Sequence, residues 1–125
     1  MRLFIADDNI PFRTRLASML SGLEGIEVVG EAGDVAGAIE LITRLKPDTI
    51  VLDIQMPGGS GFDVLRFVKA FSPLSKVIML SVGSRSQYAS ISRHAGADYF
   101  FEKSSDLRTM ARVLEGLVRS AGAAA

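Results

Sequence analysis

The sequence predicts an α/β fold in which an open five-stranded parallel sheet is doubly wound by five helices. Three observations carry that prediction. Five short apolar runs alternate with five stretches whose apolar residues recur at intervals of three and four. The runs mostly lack polar alternation, as strands covered on both faces do. The prolines fall at the ends of the periodic stretches rather than inside them. Five cycles in 125 residues leave about 25 residues for each, a compact βα unit with short connections.

The first strand is expected at 3–6. The helix after it follows from the stripe Phe12, Leu16, Met19, Leu20 and Leu23, with Pro11 near the first turn, where a missing N–H costs nothing. A second strand at 26–30 leads to the stripe Val35, Ala38, Ile39, Ile42 and Leu45, closed by Lys46-Pro47. A third at 49–52 precedes Phe62, Leu65, Val68 and Phe71, closed by Ser72-Pro73. The fourth strand is expected at 76–80. Its helix, 84–95, has the weakest stripe, with Tyr88, Ile91 and Ala95 set among Ser and Arg. A fifth strand at 98–101 runs into Ser104-Ser105-Asp106, which supplies N-cap candidates for the last helix, striped by Leu107, Met110, Ala111, Leu114 and Leu117. One domain is expected over 1–121, followed by a disordered tail at 122–125.

Composition narrows the function. The 14 basic residues balance 14 acidic ones, and a formal net charge of zero speaks against a dedicated nucleic-acid binder. The absence of cysteine excludes a disulfide scaffold and thiolate zinc sites. No run approaches the roughly 18 apolar residues of a membrane span, and the apolar N-terminal run is too short for a signal peptide, so a cytoplasmic location is expected.

In open α/β sheets, ligands bind beyond the carboxyl ends of the strands. Here the first strand ends in Asp7-Asp8, the third in Asp53, the fourth in Ser81 and the fifth in Glu102-Lys103. Carboxylates brought this close repel one another, and a divalent cation resolves the conflict. Hard oxygen ligands suit Mg²⁺, with Mn²⁺ as the alternative. A lysine and a hydroxyl facing them could hold a phosphoryl group. Taken singly, each residue has a plainer role: Asp7 or Asp8 as an N-cap, Ser81 as a turn residue, Lys103 as a solvated charge. Asp53 is harder to dismiss, because it follows an apolar strand directly.

The chain resembles the receiver domain of two-component response regulators along essentially its whole length. Asp7-Asp8, Val51-Leu52-Asp53-Ile54-Gln55-Met56-Pro57 with Gly61, Ser81 after Val77-Ile78-Met79-Leu80, and Ala95-Gly96-Ala97-Asp98 leading to Lys103 carry the resemblance. It implies a flavodoxin-like strand order of 2-1-3-4-5. It also implies Asp53 as phosphoacceptor, and Mg²⁺ held by Asp7, Asp8, Asp53 and the backbone carbonyl of Gln55. Ser81 and Lys103 would bind the phosphoryl group, and Phe100 would be the switch aromatic. A histidine kinase or histidine phosphotransfer protein would be the donor, and a downstream protein would read the face made by helix four, strand five and helix five. A homodimer is an option; direct contact with nucleic acid or membrane is not expected.

Three features depart from the family's usual pattern. Ser104 stands where a proline often follows the lysine, Phe100 lacks a tyrosine hydroxyl, and Gly83 and Gln55 occupy the two positions expected to tune dephosphorylation. Other features have bland readings. Gly58-Gly59-Ser60-Gly61 lacks the ending of a P-loop and reads as a loop entering helix three. His94 reads as a surface histidine. Of Phe100 and Phe101, strand alternation should send one inward. The arginines of the last two helices, among them Arg93, Arg108, Arg112 and Arg119, read as solvated positions. The expected function is therefore regulatory rather than enzymatic. Its alternatives are the receiver half of a truncated DNA-binding regulator or, more remotely, a Mg²⁺-dependent aspartyl-phosphate phosphatase.

Overall fold

The computed structural model describes residues 1–82 and 85–124. Strands β1 (Arg2–Ala6), β2 (Glu27–Ala32), β3 (Thr49–Asp53), β4 (Lys76–Ser81) and β5 (Tyr99–Glu102) form one parallel sheet in the order β2-β1-β3-β4-β5. Helices α1 (Ile10–Ser21), α2 (Val35–Leu45), α3 (Gly61–Phe71), α4 (Arg85–His94) and α5 (Leu107–Ala124) connect and follow them. The five expected cycles and their order are all present. Helix α5 continues through Ala124, into the segment expected as a disordered tail.

Alternation along each strand divides the core in two. Phe4, Ala6, Ile50, Leu52, Val77 and Met79 pack beneath α2 and α3, through Ala38, Ile42, Val64 and Val68. Leu3, Ile5, Val51, Ile78 and Leu80 pack on the opposite face against Leu16 and Leu20 of α1 and Met110 and Leu114 of α5. Burial on both faces holds for β3, all of whose residues are buried, and nearly so for β1 and β4. It fails for β2 and β5, where most residues are half-buried. These are the edge strands, each with one neighbour, so their apolar content does not translate into full burial.

Local chemistry sets the ends of the helices. Asn9 caps α1, its side chain accepting from Phe12 N at 3.0 Å, with Pro11 just inside. Asp34 caps α2 by accepting from Gly37 N. Lys46 ends that helix in the left-handed region, φ 50°, before Pro47. Ser60 and Asp63 form a reciprocal capping box on α3. Gly61 opens α3 so tightly against β3 that any Cβ there would overlap the Asp53 carbonyl oxygen.

The edge where the strands begin is held by paired charges. Arg2 N donates to Asp48 Oδ2 at 2.8 Å, and the Arg2 guanidinium donates to the carbonyls of Leu45 and Lys46 at the end of α2. Asp98 accepts from Lys69 Nζ and from Val77 N, tying α3 to β4 and to the start of β5. Among the described residues no helix is long and apolar enough to cross a membrane, and no peptide bond is cis, so the Lys103–Ser104 bond is trans.

Candidate functional site

The opposite edge gathers the residues singled out from the strand ends. The carboxylates of Asp7, Asp8 and Asp53 each offer an oxygen within 4.8 Å of the others. Asp7 and Asp53 are buried, at 1% and 6% exposure, while Asp8 is exposed. Register explains the gathering. β1 and β3 are adjacent parallel strands with Ala6 opposite Leu52, so the residues that follow, Asp7 and Asp53, leave the sheet side by side.

Lys103 answers this charge from β5. Its Nζ lies 2.5 Å from Asp7 Oδ2 and 3.4 Å from Asp53 Oδ2, and its side chain is only 11% exposed. Its backbone N–H donates to the Ser81 carbonyl, so the β4–β5 ladder sets its position. The contact with Asp7 is an ion pair without hydrogen-bond alignment, which leaves Asp7 Oδ2 buried and without a hydrogen-bond partner. Two buried carboxylates thus share one ammonium. Burial, then the negative charge of Asp7, push the Asp53 carboxyl up from 3.8 to about 6, against the opposing pull of Lys103.

Ser81 is buried at the end of β4, and its hydroxyl makes one long bond, 3.3 Å, to the Val82 carbonyl. A cavity of about 260 Å³ opens over the cluster, lined by Asp8, Asn9, Asp53, Ile54, Gln55, Ser81, Val82, Tyr88 and Lys103. Asp53, Ser81 and Lys103 therefore face one space, as their strand ends implied. Gln55 lies on its rim. Phe100 does not. It is half-buried, packs with the α2–α3 side of the core, and lines a separate cavity of about 530 Å³ beside α4. Its neighbour Phe101 packs on the other face, as alternation required. Gly83 lies outside the described residues. His94 is exposed on α4, and Ser60 serves as the cap of α3 rather than as part of a phosphate cradle. The plain N-cap reading of Asp7 and Asp8 does not hold, because Asn9 is the cap.

The donor set suits a hard divalent cation. Three carboxylates each bring an oxygen within 4.8 Å of the others, and Asp7 Oδ2 is buried and lacks a hydrogen bond.

Several neighbours of the site were not singled out from sequence. Asn9 could have been, since a polar residue before Ile10-Pro11 is a helix-start signal. Asp7 Oδ1 accepts from Asn9 N at 2.8 Å, which orients the carboxylate. Arg13 donates to the Asp7 carbonyl at 2.7 Å while its Nε pairs with Glu31 of β2, pinning the acidic loop to the sheet edge. Tyr88 had registered only as part of a weak stripe. It lines both the acid cavity and a groove of about 450 Å³ that continues along Met56, Pro57 and Phe62.

Comparison with known proteins adds independent findings. The family model for the response regulator receiver domain matches residues 3–115. The chain is 38% identical over 105 residues to the nitrate/nitrite response regulator protein NarP of Escherichia coli (strain K12), covering 84% of this chain and 49% of NarP. It is 36% identical over 110 residues to protein-glutamate methylesterase/protein-glutamine glutaminase 5 of Myxococcus xanthus, covering 87% of this chain and 32% of that protein. Among solved structures, a LuxR-family two-component response regulator from Aurantimonas sp. SI85-9A1 superimposes with a TM-score of 0.87 at 25% identity, over 95% of this chain and 85% of that one. The response regulator domain of Thermotoga maritima CheB gives 0.82 at 29% identity, over 96% and 94%. The chain spans about a third to a half of the length of these two curated relatives.

Proposed function

The chain belongs to the response regulator receiver family, and from that membership and the acid cluster we propose that Asp53 accepts a phosphoryl group from a phosphohistidine. Receiver domains of response regulators interact with histidine kinases, and the family is regulatory. The observation that carries the assignment to Asp53 is its position: a buried carboxylate at the end of a central strand, facing a cavity with Lys103 and Ser81 on its walls.

In this reading the Asp53 carboxylate attacks phosphorus, the O–P bond forms as the P–N bond to imidazole breaks, and the released imidazole takes a proton from solvent. With its carboxyl at about 6, Asp53 is mostly ionised at neutral pH and available as the nucleophile. Asp7, Asp8, Asp53 and the Gln55 backbone carbonyl would hold Mg²⁺, which supplies charge neutralisation for the anionic groups meeting there. Lys103, already 3.4 Å from Asp53 Oδ2, pairs with the new phosphoryl oxygens, and the Ser81 hydroxyl exchanges its long bond to Val82 for one of them. That pull draws the loop after β4 toward β3. Phe100, bordering the cavity beside α4, moves into the space released and reshapes the α4–β5–α5 face for a downstream protein or a second copy. Gln55 and Gly83 would set access of the hydrolytic water.

The chain covers about half of NarP, so a second reading keeps this domain as the receiver portion of a longer regulator whose output lies elsewhere.

The test is intact mass after incubation with Mg²⁺ and a small acyl phosphate, or with a phosphorylated histidine phosphotransfer domain, on wild type and Asp53→Ala. Wild type gains one phosphoryl group and the variant gains none. Equal labelling of the variant, or no labelling of wild type by either donor, overturns the assignment.

A further inference from the structure

The ammonium of Lys103 has a third neighbour besides its two carboxylates: it stands over the ring of Phe12, 4.5 Å from the centroid. We propose that Phe12 is a positioning residue for the phosphoryl-transfer site, holding the Lys103 ammonium in place through the face of its ring. The inference rests on the reading of Lys103 as the phosphoryl-binding lysine.

The seat is built into the start of α1. Asn9 caps the helix by accepting from Phe12 N at 3.0 Å, and Asn9 N donates in turn to Asp7 Oδ1 at 2.8 Å. The acidic loop and the ring are thus tied together through one residue. Phe12 is half-buried and packs against the core beneath α1 and α5. A cation this close to an aromatic face, in a side chain only 11% exposed, lies in the range where the ring quadrupole attracts it with little loss to water.

The chemistry of the three neighbours differs in one decisive way. Asp7 and Asp53 can bind a metal cation, and Asp53 can become an acyl phosphate. Each change weakens or redirects its hold on Lys103. The Phe12 ring can do none of these things, so its attraction is constant across every state of the site. A lysine held only by carboxylates would swing into solvent whenever they were claimed by another cation. One held also by the ring stays within reach of the incoming phosphoryl group.

The experiment compares wild type, Phe12→Leu, and protein carrying a trifluorinated phenylalanine at position 12, which keeps the ring's shape and withdraws the electron density of its face. Two signals are read: the rate of labelling by a small acyl phosphate with Mg²⁺, and the Lys103 side-chain resonances. Both altered proteins should label about three- to ten-fold more slowly than wild type, the fluorinated one with unchanged thermal stability. The Lys103 ε-methylene protons should lie upfield in wild type and return to ordinary positions in Phe12→Leu. A fluorinated protein that labels at the wild-type rate reduces Phe12 to core packing and overturns the proposal. So does a Lys103 resonance that is the same in wild type and Phe12→Leu, a result that can be read even where wild type takes up no phosphoryl group. Failure of wild type to label at all, with the upfield shift intact, counts instead against the phosphoacceptor reading.

Discussion

Where the strands begin, Asp98 accepts from Lys69 Nζ and Val77 N at 2.8 Å each, with Lys76 Nζ a further 3.9 Å from its other oxygen. Where they end, Asp53 has a share in one lysine, and Asp7 takes the shorter contact with it. Both regions use the same residue types at the same kind of junction. At the first, the Asp98 carboxylate has three partners, drawn from α3 and β4. At the second, two buried carboxylates share a single ammonium, with an exposed third carboxylate beside them. The starting edge holds the fold together, and the finishing edge leaves an unmet demand for positive charge that a hard divalent cation would satisfy.

Removing the shared ammonium should break this contrast most severely. Lys103→Met leaves Asp7 and Asp53 buried and unpaired, and in chelated buffer at neutral pH it should cost about 3–5 kcal/mol of stability by urea unfolding. Mg²⁺ should restore part of the loss. A variant as stable as wild type in chelator would mean the finishing edge is not strained at all.

The opposite change sharpens the contrast. The folded chain keeps a proton on Asp53 up to about 6, whereas the unfolded chain loses it near 3.8, so stability should fall as pH rises between those values and then level off. Asp53→Asn should flatten that slope and, without metal, raise stability at neutral pH by about 2–3 kcal/mol. Parallel pH profiles for the two proteins would contradict the cause assigned to the raised carboxyl.

The smallest effect is expected at the starting edge. Asp98→Asn keeps an acceptor for Val77 N but gives up the charge between two lysines, and should cost about 1 kcal/mol. That loss should be indifferent to Mg²⁺, and phosphoryl uptake should match wild type. A Mg²⁺-dependent loss at Asp98 would mean the two edges are coupled.

The alternation of Ile50, Val51 and Leu52 between the two core faces, and the acid placed after them, could be read directly, because adjacency along a strand dictates both. The meeting of Asp7 with Asp53 was legible for the same reason: parallel neighbours end together. The half-exposure of β2 and β5 was not, since Val28, Val29, Phe100 and Phe101 are as apolar as central-strand residues and only sheet position makes them edges. Phe12 looked like one more member of an apolar stripe. Its contact with Lys103 joins residues 91 positions apart on different elements, and no local pattern encodes a ring face turned toward an ammonium. Arg13 and Tyr88 were hidden in the same way, by contacts that exist only after the sheet has assembled.

The strand order sets the last strand apart from the first. β1, made first, lies inside the sheet and is the surface on which β2 and β3 are laid, one on each side. Pairing of β1 with β3 brings Asp7 and Asp53 together inside the sheet, whereas Lys103 follows β5 at the far edge. Along the chain both acids precede the lysine that answers them. The site therefore depends on the last strand, and it is complete only where β5 is paired with β4.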